Sequence, residues 1–317
     1  MHLILPKVVR GAHFHTNHIR RKPNNMQKTA CKHTFSSRPI HKFSSRTMQS
    51  SAFISIMITL SLRNLSRGGA TIRTLVISDI HGCVQEFNLL LRRANYRPAE
   101  DQLILLGDYV DRGPDSRAVV EQVKRLAEDH GAIVLRGNHD QMACDALTGE
   151  DDKRDTHWMT GGGFQTLLSY CGGRESVLLR PDSSWKDYAE MKEYMRSEYK
   201  EHLEFLSSLP FYYETDTHLF VHAGIDPSLA DWRSQREYDF IWIREPFYNH
   251  PVTSTVKTVV FGHTSTLDLQ DGAGVWFSPL GDKIGIDGGC VYGEQLNCLE
   301  IHETGYKTYS VRFGERA

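Results

Sequence analysis

The sequence predicts an α/β fold: two packed mixed β-sheets flanked by helices, interrupted by a helical insertion. Three observations predict it. Residues 74–135 alternate short apolar runs with amphipathic stretches, and strand–helix units in succession imply parallel strands with right-handed crossovers. Two later apolar runs, Leu219–Val221 and Thr258–Phe261, end in glycine-bearing turns as the earlier runs do. Between these groups, about residues 145–213, the spacing turns helical.

Thr74–Ser78 (TLVIS) reads as a short buried strand ending in Asp79-Ile80-His81-Gly82. Phe87, Leu90, Leu91 and Ala94 then give Cys83–Ala94 one apolar helical face. Leu103–Leu106 opens the next strand and stops at Gly107-Asp108. Asp115–Glu128 follows as a helix with Val119, Val123, Leu126 and Ala127 on one face, and Asp115 or Ser116 is placed as its N-cap. A third run, Ala132–Leu135, ends in Arg136-Gly137-Asn138-His139-Asp140.

Within the insertion, Gly161-Gly162-Gly163 precedes a short helix at Phe164–Tyr170. Trp185–Leu209 is one long amphipathic run closed by Pro210, and its Met/Tyr stripe reads as packing. This segment is expected to lie over the sheet as a cap. Lys283–Asp287, Leu296–Ile301 and Tyr306–Phe313 alternate as antiparallel strands do. With Leu219–Val221 and Thr258–Phe261 they are expected to form the second sheet.

The net charge of −2 conceals an asymmetry. Residues 1–73 hold 13 Lys and Arg and no acid, so the rest carries 37 − 13 = 24 basic against 39 acidic residues, a net of −15. An acidic body argues against nucleic acid as a partner. Six scattered cysteines without a CxxC read as free thiols in a reducing compartment, which predicts a cytoplasmic protein.

Residues 1–71 read as a basic, disordered tail outside a catalytic domain at 72–313. An upstream stretch translated from an early start codon and a targeting segment are the alternatives. Its apolar piece, Ala52–Leu62, is shorter than the roughly 20 residues a bilayer span takes, so no membrane is expected. The tail's six histidines have no metal-site spacing.

Five strand ends supply Asp79 and His81, Asp108, Asn138 and His139, His222, and His263. Ligands of open α/β sheets bind outside the carboxyl ends of the strands. Carboxylate, imidazole and amide oxygen suit divalent first-row metals such as Mn, Fe, Co or Zn. The set is too rich for one ion and has no thiolate, so two ions sharing one carboxylate is the natural count. Such pairs sit roughly 3.5–4 Å apart and act on phosphoryl groups. A lone Asp after a strand is usually a turn residue, and His130, His157, His202, His218, His250 and His302, which end no such strand, read as surface or core.

The motifs D-x-H-G (Asp79–Gly82), G-D-Y-V-D-R-G (Gly107–Gly113), G-N-H-D (Gly137–Asp140), H-A-G (His222–Gly224) and G-H-T (Gly262–Thr264) resemble the calcineurin-like metallophosphoesterases. Within them the similarity is to the phosphoprotein-phosphatase branch, over about residues 72–313. The resemblance implies that family's sandwich and two divalent ions, Mn first, with Fe, Zn, Co or Ni as alternatives. It implies that Asp79, His81 and Asp108 hold one ion, while Asp108, Asn138, His222 and His263 hold the other. His139 would be the general acid oriented by Asp111, whose carboxylate is expected to raise the imidazole pKa. Arg112 and Arg244 would grip the phosphoryl oxygens. A metal-bridging hydroxide would attack in line, with no covalent enzyme intermediate.

Gly285–Leu299 resembles the family's closing segment, with Glu294 where a glycine is usual. Tyr292 there is expected either to border the substrate or to pack, and Cys290 is a candidate redox-sensitive position. Two substrates compete: phosphoserine or phosphothreonine in a protein, favoured by the complete GDYVDRG, and a dinucleoside polyphosphate such as diadenosine tetraphosphate. A non-catalytic binding module is a third reading, but no ligand is missing. Oligomeric state has no sequence signal.

Overall fold

The computed structural model describes residues 73–172 and 185–316. The basic tail, Cys31 and the apolar piece at 52–62 lie outside the described residues. Two five-stranded sheets carry the fold. The first sheet contains β1 (Thr74–Ile77), β2 (Gln102–Leu105) and β3 (Ile133–Val134), all parallel. Helices α1 (Val84–Arg93) and α2 (Ser116–His130) make the two crossovers.

Helix α3 (Asn138–Thr148) starts directly after β3. Four further helices follow: α4 (Asp152–Trp158), α5 (Phe164–Cys171), α6 (Trp185–Glu198) and α7 (Lys200–Ser208). The chain then builds β4 (Tyr212–Glu214), β5 (His218–Val221), α8 (Glu237–Trp242), α9 (Glu245–Tyr248) and β6 (Thr258–Phe261). It ends with β7 (Trp276–Phe277), β8 (Lys283–Gly285), β9 (Gln295–His302) and β10 (Gly305–Arg312).

Strand order is β10-β9-β1-β2-β3 in the first sheet and β4-β5-β6-β8-β7 in the second. The apolar runs are continuous because both faces of each central strand are covered. Successive side chains point to opposite faces, so Leu75 and Ile77 pack toward α1 and α2 with Phe87, Leu90 and Val119. Val76 and Ile104 point the other way and meet Phe220, Val260 and Ile284 between the sheets. The far face of the second sheet buries Leu219, Val221, Val259 and Phe261 against Trp232, Phe240 and Phe247. The layers therefore run helices, sheet, sheet, helices.

Three expectations are corrected. β9 and β10 belong to the first sheet, where β9 pairs antiparallel with β1 and β10 with β9. Alternation marks a two-faced strand but does not name its neighbour. Trp185–Leu209 is two helices, not one: Tyr199 breaks it, its ring edge-on to Tyr170 at 4.8 Å and its hydroxyl taking an N–H from Arg117 at 3.3 Å. Those contacts turn the chain onto α2 and α5. Asp115 does stand at the N-cap of α2, but its side chain makes no capping bond, and the Ser116 hydroxyl accepts from the Asp111 N–H instead.

The five cysteines among the described residues are free and buried. No described helix is long and apolar enough to cross a membrane.

Candidate metal and active site

β1, β2 and β3 are in register at Ile77, Leu105 and Val134, and β5 and β6 at Phe220 and Val260. Parallel strands that stop level deliver their next residues to one edge. The turns that follow are sharp: Asp79, His81, Asp108, Asp111, Arg112 and His263 all have positive φ. Only Asn95 shares that property among the other described non-glycine residues. Asp140 ties two of the turns together, its carboxylate accepting the N–H groups of Gly137, Asp108 and Tyr109 at 2.9, 2.8 and 3.0 Å.

The donors converge in two groups that share Asp108. His81, Asp108 and His139 each bring an atom within 4.8 Å of the others, and so do Asp108, His222 and His263. Asp79 stands beside them, both of its oxygens accepting from the His263 N–H at 3.2 and 3.0 Å. All of these residues and Asn138 are buried.

The site's own chemistry tests whether a cation fits. His81 Nδ1 lies 2.7 Å from the Val110 carbonyl and His222 Nδ1 lies 3.0 Å from the Leu106 carbonyl. A carbonyl only accepts, so each Nδ1 carries a proton, and in the neutral ring each Nε2 keeps its lone pair for the site. His222 Nε2 faces Asn138 Oδ1 at 3.0 Å and Asp108 Oδ1 at 3.5 Å, acceptor against acceptor. His263 Nε2 is buried without a hydrogen-bond partner. The Arg112 guanidinium reaches in at His81 Nε2, 2.6 Å away, so a positive group is already drawn to these lone pairs. The residues fit divalent metal ions.

Burial works against a charged His81, yet Asp108 at 3.3 Å raises its imidazole to about 9, so a proton competes with a cation for that Nε2. Burial works against an ionised Asp108, yet His222, His139 and His81 hold its carboxyl well below the usual range. Burial, with His222 and Arg244 nearby, holds His263 well below the usual imidazole value. Burial beside Asp79 pushes Asp287 up to about 7, and burial beside Asp108 pushes Asp140 up to about 6.

His139 Nδ1 is 2.8 Å from Asp111 Oδ2, which leaves Nε2 for the site. Its ring is edge-on to His81 at 4.8 Å. The expected rise in its pKa is not observed: burial outweighs the pull of Asp108 and Asp111, and the imidazole lies below its ordinary value. Arg244 is exposed and donates to Thr264 Oγ1 at 3.4 Å, next to His263. Tyr292 is 67% exposed with the Arg112 guanidinium 5.3 Å over its ring, so it borders the site rather than packing in the core. Cys290 is buried beside Cys83. The Cys83 thiol beside it and burial push its own thiol far above the usual range, against the reactive thiolate.

Three residues that hold the site together stand outside the sequence-predicted set: Asp140, Trp158 and Thr166. Asp140 is the N3 residue of α3 and makes half of a capping box, its carboxylate accepting the N-cap Gly137 N–H while the glycine has no side chain to return the bond. Trp158 and Thr166 hold Asp111, and neither carries a local signal.

A family model described as calcineurin-like phosphoesterase matches residues 72–283. Over 234 residues the chain is 28% identical to serine/threonine-protein phosphatase 1 of Salmonella typhimurium, covering 71% of this chain and 90% of that one. Over 251 residues it is 27% identical to an asymmetrical bis(5'-nucleosyl)-tetraphosphatase of Anoxybacillus flavithermus, covering 72% and 90%. A solved structure provisionally assigned as a diadenosine tetraphosphatase superposes with a TM-score of 0.51 at 25% identity, covering 77% of this chain and 95% of that one. The family match runs through β1, β2, β3, β5 and β6, the strands that bring the donors together. On that match the chain belongs to the calcineurin-like phosphoesterase family and is a phosphoester hydrolase.

Proposed function

We propose that the protein is a metal-dependent phosphomonoesterase acting on phosphoserine and phosphothreonine in proteins. The observation that carries this reading is the buried His139–Asp111 pair at 2.8 Å beside the converging donors. A serine or threonine alkoxide is a strongly basic leaving group and needs a proton as it departs. A nucleotide phosphate leaves readily without one. A positioned acid is therefore of most use on a phosphate monoester of an alcohol.

In this reading Asp79, His81 and Asp108 hold one divalent ion and Asp108, Asn138, His222 and His263 the other, manganese being the proposed metal. Bound there, such ions polarise a phosphoryl group and make a water nucleophilic at neutral pH. Asp111 fixes the His139 ring so that Nε2 faces the site, and Nε2 protonates the departing alkoxide. Burial lowers the imidazole's basicity, which makes its protonated form the stronger acid. Arg112 swings from His81 to the phosphoryl oxygens, where its planar fork can bond two of them, and Arg244 grips from the open side. Beside the site, Met142, His157, Tyr238 and Trp242 line a groove, with Trp242 edge-on to His263 at 6.0 Å. That groove offers an aromatic bed for the chain flanking a phosphorylated residue.

The second reading is dinucleoside tetraphosphate hydrolysis, favoured by the likeness to the Anoxybacillus enzyme and to the solved structure. Manganese-loaded protein assayed side by side on a phosphoserine peptide and on diadenosine tetraphosphate decides. Higher kcat/KM on the peptide is expected, and turnover of the nucleotide alone overturns the first reading.

A further inference from the structure

Asp111 is 0% exposed, so its carboxylate must be satisfied by protein donors. Oδ2 faces His139. Oδ1 accepts two bonds, from Trp158 Nε1 at 2.9 Å and from the Thr166 hydroxyl at 2.7 Å. The Thr166 oxygen in turn accepts the Asp111 backbone N–H at 2.8 Å, and Ser116 Oγ lies 3.1 Å from it. Trp158 and Thr166 are themselves buried.

The stretch joining them is a π-helical turn, Met159–Gly163, and each of its three glycines sits against something. Gly162, at φ +114, accepts the Arg112 N–H at 3.1 Å, and a Cβ on it would lie 2.8 Å from that nitrogen. A Cβ on Gly161 would lie 3.6 Å from His139 Cε1, and one on Gly163 would enter the Trp158 indole at 2.5 Å. Residues 158–166 thus bond Asp111 and Arg112, and Gly161 leaves the space beside His139 open.

We infer that Trp158 and Thr166 are positioning residues for the proton-transfer step. Two donors on Oδ1 leave the Asp111 carboxylate one orientation, with Oδ2 toward His139 Nδ1, and that fixes where His139 Nε2 points. One carboxylate oxygen with two donors cannot rotate without losing both bonds in a buried setting, where no water replaces them. The helical insertion therefore completes the acid apparatus as well as packing on α2. This inference rests on His139 being the acid.

The test uses the full manganese-loaded chain, a phosphoserine peptide and p-nitrophenyl phosphate, whose aryl leaving group needs little protonation. Trp158→Phe keeps the ring and deletes the N–H, Thr166→Val keeps the shape and deletes the hydroxyl, and Thr166→Ser restores it. Trp158→Phe and Thr166→Val are each expected to lower kcat on the peptide about 10- to 100-fold, part of what a general acid supplies. The loss on the aryl ester is expected to be at least about tenfold smaller by the same argument, with KM unmoved and Thr166→Ser near wild type. Residues acting through one another are non-additive, so Trp158→Phe should cost nothing further on the peptide when His139 is already Asn. Equal losses on both esters, no loss on either, or full additivity with His139→Asn would overturn the inference. A different result sinks the reading beneath it: no leaving-group split in His139→Asn itself, or no peptide turnover by the wild type.

Discussion

At Asp79, His81, Asp108, Asp111, Arg112 and His263 the backbone takes a left-handed conformation that costs a non-glycine residue roughly 1–3 kcal/mol. The strain turns each chain end sharply enough to aim a side chain back at the strand edge. Close backbone approach does the rest. A Cβ on Gly137 would lie 2.1 Å from Asp108 Oδ1 and 2.3 Å from the Asp108 nitrogen, so only glycine lets the third strand end sit against the second. Gly137→Ala is expected to cost about 1–3 kcal/mol as overpacking, and to displace the carboxylate shared by both donor groups. Urea unfolding and bound-manganese analysis check it; a variant with wild-type metal content means that Asp108 tolerates the push. These residues were legible because each stands one to six places beyond an apolar run, and the chemistry lies in a local pattern. Trp158 was not legible. It is 47 residues from Asp111, and a single tryptophan on a short helix gives no sign of which carboxylate its N–H will meet.

The helices beyond α3 are fastened by polar contacts that a periodicity argument does not see. Lys192 on α6 holds both oxygens of Asp155 on α4, at 3.0 and 2.8 Å, and both side chains are more than nine-tenths buried. Removing one partner strands the other charge, so Lys192→Met is expected to destabilise by about 3 kcal/mol. Replacing Asp155 with Leu in that background should recover most of the loss, as read from urea midpoints. If the single variant unfolds like wild type, water reaches the pair. On β5, His218 sits over Phe220 with Tyr306 at 2.9 Å, and burial holds its pKa below the ordinary imidazole value of about 6.5. The unfolded chain therefore binds a proton just below that value while the folded one does not. Stability is present above it and lost as pH falls. His218→Gln should flatten the fall in unfolding free energy from about pH 6.5 to pH 5, and an unchanged slope would count against a buried neutral ring. Element type was legible throughout this part of the chain, but partnership was not. β9 and β10 show the alternation of half-buried strands, yet nothing local chooses β1 over β8 as the neighbour. That choice is made by Leu296 and Cys298 finding the helix-side core and Leu299 the core between the sheets.

Across the whole molecule, the donors come from both halves of the sandwich: Asp79, His81, Asp108 and Asn138 follow strands of the first sheet, His222 and His263 strands of the second. Between the sheets Val76 and Ile104 pack on Phe220 and Val260, and hydrogen bonds from His218 to Tyr306 and from His222 to the Leu106 carbonyl also cross. An ion held by Asp108, His222 and His263 would therefore cross-link the sheets, and whatever binds the folded chain and not the unfolded one stabilises it. At a hundredfold excess over Kd that linkage amounts to about 2.7 kcal/mol per site. For a body of this size a kilocalorie moves Tm by roughly 2–4 °C, so stripping one ion should lower Tm by about 5–10 °C and stripping two by about 10–20 °C. The loss should be larger than linkage alone suggests if the unpaired acceptors around His222 Nε2 are left facing one another. Calorimetry of manganese-loaded and chelator-treated protein measures the difference, and readdition of manganese should restore it. His222→Ala should have a low Tm and a much smaller response to chelation, because it removes the second sheet's innermost donor. Equal Tm with and without metal in the wild type would show that the sheets are held by their apolar faces alone, and that the converging donors are not a binding site.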